Sequence, residues 1–191
     1  YYLYRPAGHA DSGRLLVSVH GVSRNALEHI EAFRELADRH RVMLVAPVFS
    51  AEVFRDYQRL GREGMGPRAD LALIRVLNEL TLAMGIDTSR LDLFGFSGGA
   101  QFAHRFTYVH GQRVRRVVLG AAGWFTMPDP AVAYPYGIRT ANQLNGVRLS
   151  AVAFARLPTL LLVGGMDDRE DDDELNRARL IREQQGRHRV E

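Results

Sequence analysis

The chain has 191 residues, of which 46% are hydrophobic, and this length predicts a single domain, residues 1–191, with a sizeable core. Its 25 basic and 22 acidic residues leave a net charge of +3. The basic side chains are all arginines and are scattered along the chain, so we expect no nucleic-acid partner. No apolar run is long enough to span a membrane, and without cysteines there is no disulfide framework or thiolate metal site.

The N-terminal residues carry neither an initiator Met nor the apolar core of a signal peptide. We therefore expect the natural N-terminus to lie outside this sequence, and the lack of a signal peptide favours a cytoplasmic protein.

The first part of the chain alternates strand and helix patterns. Turn residues between a strand at Tyr1–Arg5 and a strand at Leu15–Val19 predict a β-hairpin. Asn25–Glu28 fits a capping box, and apolar spacing then predicts a helix to about Arg39. The continuous apolar run Val42–Ala46 is typical of a strand buried on both faces, which indicates a parallel sheet.

The same alternation continues to the end of the chain. Apolar residues at helical spacing from Leu73 to Met84 predict a helix that Gly85 ends. Further strands are predicted at 91–95, 114–121 and 159–163, with a proline-rich aromatic loop at 124–137 and an ambiguous, helix-compatible stretch at 141–155. Acidic residues at 171–174 suit the start of a last helix.

Strands that alternate with helices predict a doubly wound α/β fold, in which a mostly parallel sheet carries helices on both faces. Ligands of such sheets bind beyond the carboxyl ends of the strands. The candidate chemistry lies at these ends: His20–Ser23 after one strand, Ser97 after another and Asp167 after the last.

The stretch Gly95–Gly99 fits the pattern G-x-S-x-G between a predicted strand and a predicted helix. This is the context of a nucleophile elbow, in which glycines on both sides of the serine let strand and helix approach closely. Ser97 is therefore the candidate nucleophile. The alternative is a glycine-rich turn with an idle serine.

Acyl transfer through a serine also needs donors for the oxyanion. The motif predicts that the backbone N–H of Gly98 is one donor, and the loop after the second strand predicts Val22 N–H as the other. Val22 as a simple turn residue is the alternative. His20 in the same loop is expected to be structural, because the base follows the acid in this chain order.

The acid is expected just past the last strand, where Asp167 is the first choice and Asp168 the second. A solvated acidic turn is the alternative for both. A calcium loop at 168–173 is disfavoured, because the stretch contains an arginine and lacks a central glycine.

The catalytic base is the member of the expected triad for which the sequence offers no clear candidate. Among the seven histidines only His188 follows Asp167, and no predicted strand precedes it. We therefore expect the catalytic histidine beyond residue 191, in a chain truncated before its last strand, with His188 as the less favoured alternative.

These motifs together resemble the α/β-hydrolases, and more weakly the polyhydroxybutyrate-depolymerase-like and feruloyl-esterase-like serine esterases. The resemblance is carried by His20–Asn25, Gly95–Gly99, Ala121–Trp124 and Val163–Asp167. It implies an α/β-hydrolase fold with Ser97 as nucleophile, Asp167 as acid, and Val22 and Gly98 as oxyanion donors. The chain departs from the pattern in lacking a terminal strand and histidine.

The expected function is thus a serine hydrolase that cleaves a small carboxylic ester without metal or organic cofactor. Trp124 and Tyr136 lie on loops at the same sheet edge and are candidates for the substrate pocket, with local core as the alternative. A hydrolase-fold binding module that has lost catalysis is one competing hypothesis. The other is a peptidase or carbon–carbon bond hydrolase with the same triad.

Overall fold

A computed structural model describes residues 1–6, 13–140, 144, 146–171 and 175–190. Its six-stranded sheet has the order β1-β3-β2-β4-β5-β6, and every neighbouring pair is parallel except β1 with β3. The strands are β1 Tyr2–Tyr4, β2 Leu15–Val19, β3 Met43–Ala46, β4 Leu91–Phe96, β5 Val114–Gly120 and β6 Thr159–Leu162. The predicted α/β fold with a mostly parallel sheet is confirmed.

Helices cover both faces of the sheet. They are α1 Ala26–His40, α2 Ala69–Met84, α3 Gly98–His110, α4 Ala151–Ala155 and α5 Arg179–Gln185. Successive residues of a strand point to opposite faces, and on β3 the side chains of Leu44 and Ala46 pack with α1. Met43 and Val45 belong instead to the larger core, to which α2 and α3 contribute.

The predicted hairpin between the first two strands is wrong. β1 pairs antiparallel with β3, while both edges of β2 are occupied by the parallel strands β3 and β4. The β2–α1–β3 crossover puts β3 beside β2, and β1 then pairs with the outer edge of β3.

The predicted capping box of α1 does not form. Asn25 is the N-cap residue, but its side chain makes no bond to the helix backbone and donates from Nδ2 to Glu28 Oε2 at 2.6 Å. The helix ends at His40, one residue beyond the prediction.

The C-terminal part also differs from the prediction. In the stretch 141–155, α4 covers only the last five residues, and residues 141–143 and 145 lie outside the described part. The last helix begins at Arg179 and has no acidic residue in its first turn. Asp171 lies in a turn, and 172–174 are outside the described residues, so the predicted acidic helix start is not observed.

The described helices include none that is both long and apolar enough to cross a membrane. The carboxyl ends of β2, β4 and β5 meet at one edge of the sheet, because the three strands are parallel neighbours. β6 is parallel to β5, so the loops with His20–Ser23, Ser97 and Asp167 all lie at this edge.

Candidate active site

Ser97 occupies the single residue between β4 and α3. It is half-buried, and its backbone has a φ of 52° and a ψ of −116°. Positive φ is unfavourable for a residue with a Cβ and is frequent at functional sites. The Ser97 N–H donates to Gly120 O at 2.8 Å, and the Ser97 carbonyl accepts from Ala100 N–H and Gln101 N–H. These bonds hold the serine at the tip of the turn.

The glycines of the motif are required by close backbone contacts. A Cβ on Gly95 would collide with the backbone of Gly99 and Ala100. A Cβ on Gly99 would lie 2.6 Å from the carbonyl oxygen of His20 and closer still to that of Val19. The start of α3 thus packs directly on β4, as the sequence pattern predicts, and also on the end of β2.

The loop after β2 lies against the serine. The nearest approach is at Gly21, where an added Cβ would be 3.5 Å from Ser97 Cβ. A Cβ on Gly98 would be 3.0 Å from Val22 Cγ1. Within the described residues, neither Val22 N–H nor Gly98 N–H donates a backbone hydrogen bond. Val22 and Gly98 therefore both belong to segments that pack close to Ser97.

The buried side chain of His20 holds this loop in place through hydrogen bonds. It is fully buried, its Nε2 accepts from Phe49 N–H at 3.0 Å, and its Nδ1 lies 2.8 Å from Gly21 O, to which it donates. Burial lowers the pKa of His20 to about 4. A neutral imidazole with both nitrogens engaged cannot take a proton from Ser97, which agrees with the structural role expected for it.

Asp167 lies on the loop after β6, with its N–H bonded to Gly164 O at 2.9 Å. Its side chain is 27% exposed, and its Oδ1 accepts from Arg189 at 2.8 Å. Asp168, the second choice for the acid, is exposed. Among the contacts described, the partner of the Asp167 carboxylate is an arginine rather than a histidine.

His188 lies next to Arg189 and lines a small cavity of about 60 Å³ together with Trp124. Its Nδ1 is buried and has no hydrogen-bond partner in the described part of the chain. This segment is attached to the loop after β5 by Gln185, which bonds the N–H and the carbonyl of Phe125 at 2.7 and 2.8 Å. None of these contacts links His188 to Ser97.

The two aromatic pocket candidates pack on each other. The rings of Trp124 and Tyr136 are 5.5 Å apart, with Trp124 only 4% exposed and Tyr136 half-buried. The Arg105 guanidinium lies 4.2 Å from the Trp124 ring and that of Arg59 5.5 Å from it. The stack therefore forms part of a wall that also contains buried positive charge.

Two residues near the serine were missed by the sequence analysis. Tyr57 is fully buried, donates to His20 O at 3.0 Å, and its Oη would lie 2.6 Å from a Cβ on Gly98. Arg105 is fully buried on α3. The available signal for Arg105 was a charged residue between Phe102 and Phe106 on the predicted helix after the serine, whereas nothing distinguished Tyr57 from the other aromatic residues of its loop.

A metal site is not apparent, since the described residues contain no group of three or more His, Asp or Glu side chains able to hold an ion.

No protein-family model matches the chain, and no curated protein matches it in sequence. Among solved structures it is similar to poly(aspartic acid) hydrolase-1 from Sphingomonas sp. KT-1, with 27% identity and a TM-score of 0.81. It is also similar to a poly(3-hydroxybutyrate) depolymerase from Bordetella parapertussis, with 29% identity and a TM-score of 0.79.

Both likenesses extend over 98% of this chain, which spans 74% of the first protein and 66% of the second. An S-formylglutathione hydrolase from Agrobacterium tumefaciens shares the fold, with 17% identity over 87% of this chain and 70% of that one and a TM-score of 0.61. The first two likenesses support a hydrolase function.

Proposed function

We propose that this chain, which has the α/β-hydrolase fold, is a serine hydrolase that cleaves carboxylic esters through an acyl-enzyme on Ser97. The observation that carries the proposal is the position of Ser97 at the tip between β4 and α3, with a φ of 52° and with the loop of Gly21 and Val22 packed close to it. The proposal assigns Ser97 as the nucleophile and the N–H groups of Val22 and Gly98 as the oxyanion donors.

In the proposed reaction the Ser97 Oγ attacks the ester carbonyl carbon while its proton passes to a histidine base. The carbonyl oxygen becomes an oxyanion that accepts hydrogen bonds from Val22 N–H and Gly98 N–H. Collapse of this intermediate expels the alcohol, which takes the proton from the base, and water then releases the acid from Ser97 by the same steps.

Asp167 is the proposed acid of the triad, and its role is to orient the base and stabilise its protonated form. The partner of its Oδ1 is Arg189, which leaves the second carboxylate oxygen as the acceptor for a histidine N–H. The likeness to a depolymerase of poly(3-hydroxybutyrate) supports an ester as the substrate bond.

The test is hydrolysis of short 4-nitrophenyl esters by the protein expressed from its natural reading frame. Loss of the nucleophile in Ser97→Ala should abolish turnover without changing the melting temperature, since only oxyanion and binding effects remain. Near wild-type turnover by this variant would overturn the proposal. A folded wild-type protein that cleaves no ester but binds one would favour the binding module instead.

A further inference from the structure

Three arginines, Arg59, Arg62 and Arg105, form a group that we call the arginine cluster. It lies beside the stacked rings of Trp124 and Tyr136, with Arg59 and Arg105 against the Trp124 ring. One carboxylate, Asp56, is hydrogen-bonded within it. Asp56 accepts from Arg59 at 2.9 Å and from Arg62 at 2.8 and 3.1 Å. The hydrogen bonds of Arg62 and Arg59 hold the pKa of Asp56 below its usual value in spite of burial. The cluster and Asp56 together therefore carry two positive charges in excess.

The deepest member of the arginine cluster has no carboxylate partner. Arg105 donates to Thr126 Oγ1 at 2.8 Å, to Gln58 O at 2.9 Å and to Gln101 O at 3.1 Å, all of them neutral acceptors. Its remaining terminal nitrogen is buried and has no partner within the described residues. A buried cation is costly to a fold. Here it is compensated by the Trp124 ring and by Asp56, whose hydrogen bonds go to Arg59 and Arg62, so a further anion beside the cluster would be favourable.

Two members of the arginine cluster are partly open to solvent, and the residue before Arg59 lies close to the start of α3. The side chains of Arg59 and Arg62 are 31% and 27% exposed. Gln58, which precedes Arg59 and bonds Arg105, has its Cγ 3.2 Å from the position of a Cβ on Gly98. Arg59 is thus the direct chain neighbour of a residue that packs against the start of α3, one residue beyond Ser97.

We propose that the arginine cluster is a subsite for a carboxylate carried by the substrate, so that the preferred esters are anionic ones whose acyl chain ends in a free carboxylate. The proposal rests on the proposed function, since it assigns the substrate class of the same site. Guanidinium groups bind carboxylates through paired, charge-assisted hydrogen bonds, and Arg59 and Arg62 supply the exposed donors.

The test compares mono-4-nitrophenyl esters of glutaric, adipic and suberic acid with the same esters methylated at the free carboxylate. Each pair differs only in the charge that the arginine cluster would bind. We expect at least one anionic ester to be preferred about tenfold or more in kcat/KM, the size of a charge-assisted hydrogen bond. The preference should weaken as salt is raised.

Arg59→Gln and Arg62→Gln should each lower this preference about tenfold. Each variant keeps the other arginine on Asp56, which protects the fold, and melting temperatures verify this. Arg55→Gln is the matched control, because Arg55 is an exposed arginine of the same segment, and it should leave the preference unchanged. Equal rates for charged and methylated esters at every chain length, or an unchanged preference in both variants, would overturn the inference.

Binding can be followed without catalysis, because Trp124 is the only tryptophan of the chain. Adipate should change its fluorescence saturably in the wild-type protein and much less in Arg59→Gln, while dimethyl adipate should not. If the methylated esters are hydrolysed but adipate does not change the Trp124 fluorescence, the carboxylate subsite is contradicted while the proposed ester hydrolysis remains supported. If adipate binds but no ester is cleaved, the proposed function fails and the subsite stands.

Discussion

His20 connects the loop that carries Val22 to the segment after β3. Its imidazole accepts from Phe49 N–H and donates to Gly21 O, while its own carbonyl accepts from Tyr57 Oη. A protonated imidazole would lose the first of these bonds and place a charge in a buried site. The position of the Val22 N–H therefore depends on a histidine that remains neutral.

This dependence gives a pH prediction. The pKa of His20 is about 4 in the folded chain and about 6.5 in an unfolded one. The unfolded state therefore binds the proton first, so stability present above pH 6.5 is lost as the pH falls from 6.5 toward 4, and the difference corresponds to roughly 3 kcal/mol. Urea unfolding across this pH range measures the prediction. As the pH falls, the free energy of unfolding should decline less for His20→Gln than for the wild type.

The control for the pH prediction is His40→Gln, because His40 is exposed at the end of α1. This variant should follow the wild-type profile. If the free energy of unfolding depended on pH in the same way for the wild type and for His20→Gln, the assignment of a neutral, buried His20 would be contradicted.

The choice between the two aspartates makes a second prediction at this scale. Asp167 is partly buried and bonded to Arg189, whereas Asp168 is exposed. If Asp167 orients the base, Asp167→Asn should lower kcat about 10⁴-fold, because the asparagine favours the wrong tautomer of the catalytic histidine. Asp168→Asn is the control and should have a much smaller effect. Steady-state kinetics on 4-nitrophenyl esters measure both, and the reverse ranking would move the role to Asp168.

At the scale of secondary-structure elements, the site depends on the contact between the start of α3 and the end of β2. Gly99 faces the carbonyl oxygens of Val19 and His20 with no room for a Cβ. Gly99→Ala must push α3 away from β2, and we expect a loss of at least about 2 kcal/mol in the free energy of unfolding. Gly165→Ala is the matched control, since nothing lies within 4 Å of its added Cβ. Similar unfolding midpoints for both variants would contradict the close contact.

The elements differ in how well the sequence predicts them. Strand β3 and helix α2 were predictable because their periodicity and flanking residues, Pro47 and Gly85, are local signals. The pairing of β1 was not, because strand order depends on which edges the crossovers leave open. The capping box predicted for α1 does not form, because the Asn25 side chain donates to Glu28 instead of bonding to the helix backbone.

At the scale of the whole molecule, parallel strand order predicts that the motif loops after β2, β4 and β6 lie at one edge, and the structure has them there. The arginine cluster could not be predicted, because Arg105 lies far along the chain from Arg59 and Arg62 and comes to them only through the packing of α3. Pairing of Asp167 with Arg189 likewise depends on where the chain after α5 returns.

The central claim is that Ser97 is the nucleophile, and covalent labelling tests it most directly. A fluorophosphonate should add one adduct to the protein expressed from its natural reading frame, and peptide mass mapping should locate it on Ser97, because only an activated serine beside oxyanion donors reacts readily. Ser97→Ala should remain unlabelled. An adduct on another residue, such as Ser23 in the neighbouring loop, or undiminished labelling of the folded Ser97→Ala protein, would contradict the account.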